Sequence, residues 1–397
     1  MKEGWDYKKL GEVTSTINGL WTGKKPPFIN IAVVRNTNFT KDCKLDMTNV
    51  AYLDVEEKQF STRKLQYGDI IIEKSGGSEK QPVGRPVLFN IKEGNYSFSN
   101  FTSTLRINNK SELDPHFLHY SLLGAYFRGA TSKMQAKTTG IHNLDFKAYL
   151  RLLIPIPTIE EQQQIVSELD LLSGVIEKQK AQFEELDKLA QSIFYDMFGD
   201  PVANEKGWEM KKLGEECEDM KYGTSRPACE NGRYKYLRMG NITLDGHLDL
   251  ADLKTIDIPE EEVEKCIVRY GDILFNRTNS HELIGKTCMF DLDEPMIIAG
   301  YIIRVRLSEN LKPIFMSIMF NLPSMKKLLR SIAKGAVNQA NINSKELASI
   351  NIIIPPLSLQ QEFAAKVEAI EAMKAKVRQS LKEAETLFNS RMDYYFN

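Results

Sequence analysis

From residue 165 onward, apolar side chains recur at alternating steps of four and three. Ile165, Leu169, Leu172 and Ile176 are followed by Phe183, Leu186 and Ile193, with Gln179 and Ala190 keeping the phase. The rhythm returns near the end of the chain as Phe363, Val367, Ile370, Val377, Leu381 and Phe388, interrupted there by Lys374 and Arg391. A 3.5-residue spacing sustained this long predicts two long helices that pair along a coiled-coil seam. A helix lying on a globular core would show a broader stripe. Thr158 with Glu161, and Ser358 with Gln361, fit capping boxes at the two helix starts. Gly199 and Pro201 should stop the first helix, the glycine as a left-handed cap and the proline because it cannot continue the helix.

The roughly 150 residues ahead of each helix are patterned differently. Short β-rich runs (residues 69–72, 104–107 and 302–307) alternate with Gly, Asn and Asp turns, and apolar helical stretches follow at 117–127 and 315–329. This pattern predicts an α+β module. The two stretches are copies of one another. Trp5, Lys8, Lys9, Leu10, Gly11 and Glu12 recur as Trp208, Lys211, Lys212, Leu213, Gly214 and Glu215, an offset of 203 that also carries Tyr67–Gly68–Asp69–Ile70 onto Tyr270–Gly271–Asp272–Ile273. An offset of 198 then relates Leu105–Arg106–Ile107 to Ile303–Arg304–Val305, Pro157 to Pro355 and Gln162 to Gln360. Five extra residues are therefore expected in the first copy between Ile70 and Leu105, in the loop 75–82.

The resulting order is a module over 1–156, a helix over 157–200, a second module over 201–354 and a second helix over 355–397. Each helix would be on the order of 60 Å long. The nine residues 199–207 that join the first helix to the second module reach at most ~30 Å. Antiparallel packing is thereby favoured. The predicted fold is α+β, with two pseudo-symmetric modules separated by a long antiparallel two-helix coiled coil.

Composition narrows the chemistry. The chain has 397 residues and a net charge of −1, but residues 1–150 hold 21 Lys and Arg against 15 Asp and Glu, and residues 151–200 hold 4 against 10. A basic first module beside an acidic helix suits local phosphate contact. Five scattered cysteines without a C-x-x-C pair read as reduced thiols of a cytoplasmic protein, and no run is apolar enough to span a bilayer. Five histidines show no metal-ligand spacing. Pro26–Pro27–Phe28 has Lys25 where an amino-methyltransferase loop needs an amide or carboxylate, and Asp54 with Glu56 and Lys58 reads as a common surface charge cluster and only superficially as a nuclease. No phosphate-binding loop or nucleophile elbow is present. The chain reads as non-catalytic, with no metal and no cofactor of its own.

Polar loops are the stronger lead. In the first module they carry Lys24, Lys25, Arg35, Asn36, Asn38, Lys74, Ser75, Lys80, Gln81 and Arg85, then Lys133, Gln135, Lys137, Thr138 and His142. The second offers Arg238, Asn241, Arg277, Thr278, Asn279, Ser280, His281, Lys286, Lys334, Asn338 and Gln339. Arg paired with guanine, and Asn or Gln with adenine, read base edges, while Lys, Ser and Thr more often grip phosphates. Arg35, Arg238, Asn38 and Asn241 recur in both copies, which favours a framework or phosphate role. Residues that differ between copies suit readout, and two different sets of loops imply two different half-sites.

Taken together, the domain–helix–domain–helix order, the Trp-x-x-Lys-Lys-Leu-Gly-Glu openings, the stretch Leu274 to Ser280, the Pro157–Gln163 and Pro355–Gln361 pair, and Met197–Phe198–Gly199–Asp200–Pro201 resemble the specificity subunit of type I restriction–modification systems. The resemblance implies two target-recognition domains that each read half of a bipartite, asymmetric site on double-stranded DNA. It also implies helices that set the gap and dock two adenine methyltransferase (M) subunits, with S-adenosylmethionine bound on those partners. A translocating nuclease (restriction, R) subunit is a further partner it allows, and no membrane is involved. An orphan specificity subunit, or a coiled-coil scaffold that binds proteins and not DNA, is the alternative.

Overall fold

The computed structural model describes every residue except Met1, Glu3, Thr22, Lys24, Lys80, Thr139, Gly140, Val337 and Asn338. The chain divides into two compact units, residues 1–178 with 380–397, and residues 179–379. The long helices Ile159–Phe198 and Leu357–Phe396 each begin in one unit and end in the other. No helix among the described residues is long and apolar enough to cross a membrane.

In the first unit, a four-stranded antiparallel sheet runs in the order Thr14–Asn18, Thr102–Ile107, Ile70–Glu73, Pro86–Leu88. A second sheet sets Phe28–Val34 between Ala51–Glu56 and Tyr96–Phe98. A ribbon of Gln135–Thr138, Ile141–Leu144 and Ser75–Gly77 stands apart. The helix Pro115–Phe127 starts where Asp114 accepts hydrogen bonds from the His116 and Phe117 amides. Isoleucines 70 to 72, Phe117 and Leu118 form the core, joined by Ile165 and Leu169 of the first long helix. The end of the second long helix closes the same core: Phe396 packs on Phe117, and Arg391 binds Glu168 across the helices.

The second unit repeats this plan with Cys217–Tyr222, Ile302–Leu307, Ile273–Asn276 and Thr287–Met289 in its main sheet. Its ribbon is Thr278–Asn279, Gln339–Asn341 and Lys334–Ala336. Here the long helices pack side by side and antiparallel. Phe363 meets Phe194 and Phe198, with ring centroids 5.5 Å apart in both pairs, and farther along Leu186, Ala190, Ile370 and Val377 share a cluster. Phe194 and Phe198, as fully buried in this seam as Phe363, fall outside the apolar set read from the sequence.

Four expectations are corrected. The outer seam residues Ile165, Leu169, Phe363 and Val367 bury in the module cores as well as facing the other helix, because the helix ends lie against the modules. Ser358 is not an N-cap. The helix already starts at Leu357, and Pro356 O accepts from the Leu359 and Gln360 amides. The stretch 315–329 is two helices, Pro313–Asn321 and Pro323–Ile332, because Pro323 lacks an amide proton and forces Leu322 into an extended conformation.

The five extra residues of the first copy do not all fall in the loop 75–82. Ile72 pairs with Pro86 as Phe275 pairs with Thr287, so the hairpin holds only two of the five. Arg106 binds Asp69 at 2.8 Å, and its twin at Asp272 is Arg306, not Arg304. One more extra residue lies between these strands, and the last two lie between Ile107 and Asp114. A slip of two residues keeps every side chain on the same face of a strand, so alternation alone cannot distinguish the two registers.

Candidate nucleic-acid interface

The repeated Arg-x-x-Asn element is a 3₁₀ turn in both modules. Asn38 accepts from the Arg35 amide and donates to Asp46 O, and Asn241 accepts from the Arg238 amide and donates to Asp249 O. Both side chains are buried and bonded through oxygen and nitrogen alike. They serve the framework. A basic residue just before the neighbouring strand clamps each turn: Arg85 donates to the Asn36, Phe39 and Thr40 carbonyls, and Lys286 donates to those of Met239 and Ile242. Arg85 is buried and also forms a two-pronged pair with Glu73 at 2.7 and 3.0 Å. In the second module Asn276 stands at the Glu73 position, and burial lowers the Lys286 amine below its ordinary value. Arg85 and Lys286 therefore spend their donors on backbone oxygens of the turns.

The ribbons gather candidates that are far apart in sequence. Ser75, Gln135, Lys137, Thr138 and His142 share one ribbon, and Thr278, Asn279, Lys334 and Gln339 share the other. On the first, Ser75 Oγ donates to Asn143 at 2.6 Å, Asn36 donates to Ser75 O at 3.3 Å, and Gln135 Oε1 and His142 Nδ1 lie 2.8 Å apart. The side chains of Lys137 and Thr138, like Lys24, Lys80 and Asn338, lie outside the described residues. Lys74 donates to Asn18 Oδ1 at 3.2 Å, and burial lowers its pKa. Arg35, Lys25 and Lys133 are exposed, the Lys25 amide bonding to Glu56, and the backbone of Gln81 closes a turn with Ser78.

The second module has an open cleft of about 830 Å³ beside its ribbon, lined by residues including Arg226, Arg238, Arg277, Asn279, Lys286 and Tyr301. Arg226 pairs with Glu262, and Arg238 with Asp252, each at 2.7 Å. Asn279 Oδ1 accepts from the Ser280 amide, and Thr278 Oγ1 donates to Asn341. Lys334 pairs with Glu346, while His281 and Gln339 are exposed.

Sequence reasoning passed over the aromatic neighbours. Phe101 O accepts from the Lys74 amide as Tyr301 O accepts from the Arg277 amide, and both rings are about half exposed. Trp21 is exposed as well. The available signal was an aromatic in the tight Asn100–Phe101 or Gly300–Tyr301 turn, where no core neighbour is at hand. One group of metal-type ligands occurs among the described residues, Asp187, Asp245 and His247. The Lys374 ammonium already sits there, 2.6 Å from Asp187 and 3.1 Å from His247 Nε2.

A family profile described as the type I restriction modification DNA specificity domain matches residues 2–187 and 205–385. The type I restriction enzyme EcoKI specificity subunit of Escherichia coli (strain K12) is 27% identical over 399 residues, covering 94% of this chain and 83% of that one. A chain solved in work on complex assembly and conformational transition of the type I R-M system aligns over 100% of this chain and 98% of its own, with TM-score 0.58 and 19% identity. The S subunit of a type I restriction–modification system from M. genitalium aligns over 99% and 96%, with TM-score 0.56 and 14% identity. Two copies of one module thus coincide with two matches to one profile, and the chain belongs to the type I restriction–modification DNA specificity family.

Proposed function

We propose that the chain is the non-catalytic, DNA-reading subunit of a type I restriction–modification assembly acting in the cytoplasm. Each module grips one half of a bipartite, asymmetric duplex site. The long helices fix the spacer and dock two adenine methyltransferase subunits, which carry S-adenosylmethionine, and a restriction subunit can join them. Phosphate contacts supply salt-dependent affinity, and base contacts choose the sequence.

The observation that carries this reading is the contrast between scaffold and face. The 3₁₀ turns with their Asn38 and Asn241 brackets repeat almost atom for atom. The residues around the ribbons differ, Lys74 and Ser75 standing where the second module has Arg277 and Thr278. A shared scaffold under different outer residues is what two half-sites of unlike sequence require.

The test exchanges residues 201–354 for the corresponding module of a relative and maps methylated adenines in a host supplying the partner subunits. One half of the recognised motif should change and the other persist. A motif that stays whole, or changes in both halves, would sink the reading.

A further inference from the structure

Of the four cations lining the second-module cleft, Arg226 and Arg238 face carboxylates and Lys286 faces carbonyls. Arg277 differs. None of its guanidinium nitrogens has a hydrogen-bond partner among the described residues, and its Nε is buried without one. The guanidinium lies 4.8 Å from the centre of the Tyr222 ring. That ring is itself held, its hydroxyl donating to Ser344 Oγ at 2.9 Å and accepting from the Ser344 amide at 2.8 Å. The backbone is pinned on both sides, the Arg277 amide to Tyr301 O and its carbonyl to the Ile342 amide. The result is a planar fork lying over a fixed ring, rooted between the main sheet and the ribbon, at the cleft wall.

We propose, resting on the DNA-reading function above, that Arg277 is the specificity-determining residue that reads a guanine in the half-site of the second module. Stacking occupies the face of a guanidinium and leaves its edge free, and that edge matches the O6 and N7 acceptors of guanine in the major groove. The two terminal nitrogens of Arg277, unlike its Nε, are not among the buried unpartnered atoms, and they are the donors a base edge can reach. Carboxylate-paired arginines in the same cleft would have to give up existing bonds. The counterpart in the first module, Lys74, is a single-point donor already engaged by Asn18, so the first half-site should owe no guanine to this position.

A phosphate would also accept a guanidinium, and the two roles separate experimentally. The full-length chain is incubated with a random duplex library, and bound molecules are sequenced. The wild type should enrich a two-part motif with guanine at one position of one half. Arg277→Lys keeps the charge but loses the fork, so guanine preference at that position should fall by about tenfold or more, with the other positions still enriched. Arg277→Gln should lose the same preference. An unchanged motif in Arg277→Lys overturns the assignment, as does uniform weakening of all sequences with guanine still preferred. Loss of the entire half-motif in both variants also overturns it, since Arg277 would then act on the fold. A wild type that enriches no sequence would defeat the DNA-reading function itself, an outcome distinct from these.

Discussion

Lys374 Nζ lies 2.6 Å from Asp187 Oδ1, binding the second long helix to the first through a lysine side chain only 2% exposed. Glu371 and His247 also reach the ammonium. Burial opposes the charge, but the bonds to Asp187 and Glu371 outweigh it and hold the pKa above the ordinary lysine value. The residue that breaks the heptad is thus an ionic crosslink.

Removing Asp187 strands an ammonium that is 2% exposed, whereas replacing that cation with an apolar chain fills the seam and leaves Asp187 and Glu371, 30% and 39% exposed, within reach of water. Asp187→Ala should lower unfolding free energy by about 1–3 kcal/mol, the half-exposed Glu371 moderating the loss. Lys374→Met should be close to neutral. Urea denaturation of both variants decides it: a Lys374→Met variant less stable than Asp187→Ala would contradict the account.

Gln360 is completely buried, accepts from the Lys312 amide and donates to Asn310 O and Pro355 O. Gln360→Leu leaves three backbone groups without partners and should cost about 3 kcal/mol or more. Hydrogen exchange should show the Lys312 amide losing protection ahead of the main sheet. Equal protection in variant and wild type would rule this out.

His119 packs in the first module with its Nε2 buried and unpartnered, and burial pushes its pKa down from 6.5 to about 4. The unfolded chain therefore takes up a proton at higher pH than the folded one. Stability present above pH 6.5 should decline as pH falls towards 4, by about 2–3 kcal/mol in total. Measured against wild type from pH 7 to 4, His119→Leu should show a shallower decline. Parallel curves would exclude His119 as a source of acid sensitivity.

Glu73 neutralises Arg85 inside the first module, with 2% and 7% of the two side chains exposed. Glu73→Ala should destabilise by about 3 kcal/mol and blur the first half-site by loosening the turn, while the sequence chosen by the second module is unchanged. Chemical denaturation together with duplex selection checks both parts, and an undisturbed stability would show that the pair is dispensable.

Much of the architecture was legible because periodicity and repetition are global signals. The heptads of Ile165 to Ile193 and the paired Trp-Lys-Lys-Leu-Gly-Glu openings each bring many residues into agreement. Register was not legible: Arg304 and Arg306 occupy the same face of one strand, and only their partners, Asp219 and Asp272, tell them apart. The candidate interface was legible in part. Arg277 and Asn279 do line the cleft, but Arg85 and Lys286 are basic loop residues whose donors turn inward. Sequence alone shows the donor and not which oxygen lies opposite. Trp21, Phe101 and Tyr301 were passed over because an aromatic is read as core until its neighbours are known.

Gln162 and Gln360 each hold a module to its helix, and every group they bond on the module side is main chain: the Asp114 amide with Glu112 O and Pro157 O, and the Lys312 amide with Asn310 O and Pro355 O. A peptide group offers the same donor and acceptor whatever side chain it bears. The fitting is consequently universal, like a thread cut to one gauge. Side chains can change throughout a module while the glutamine that seats it stays as it is.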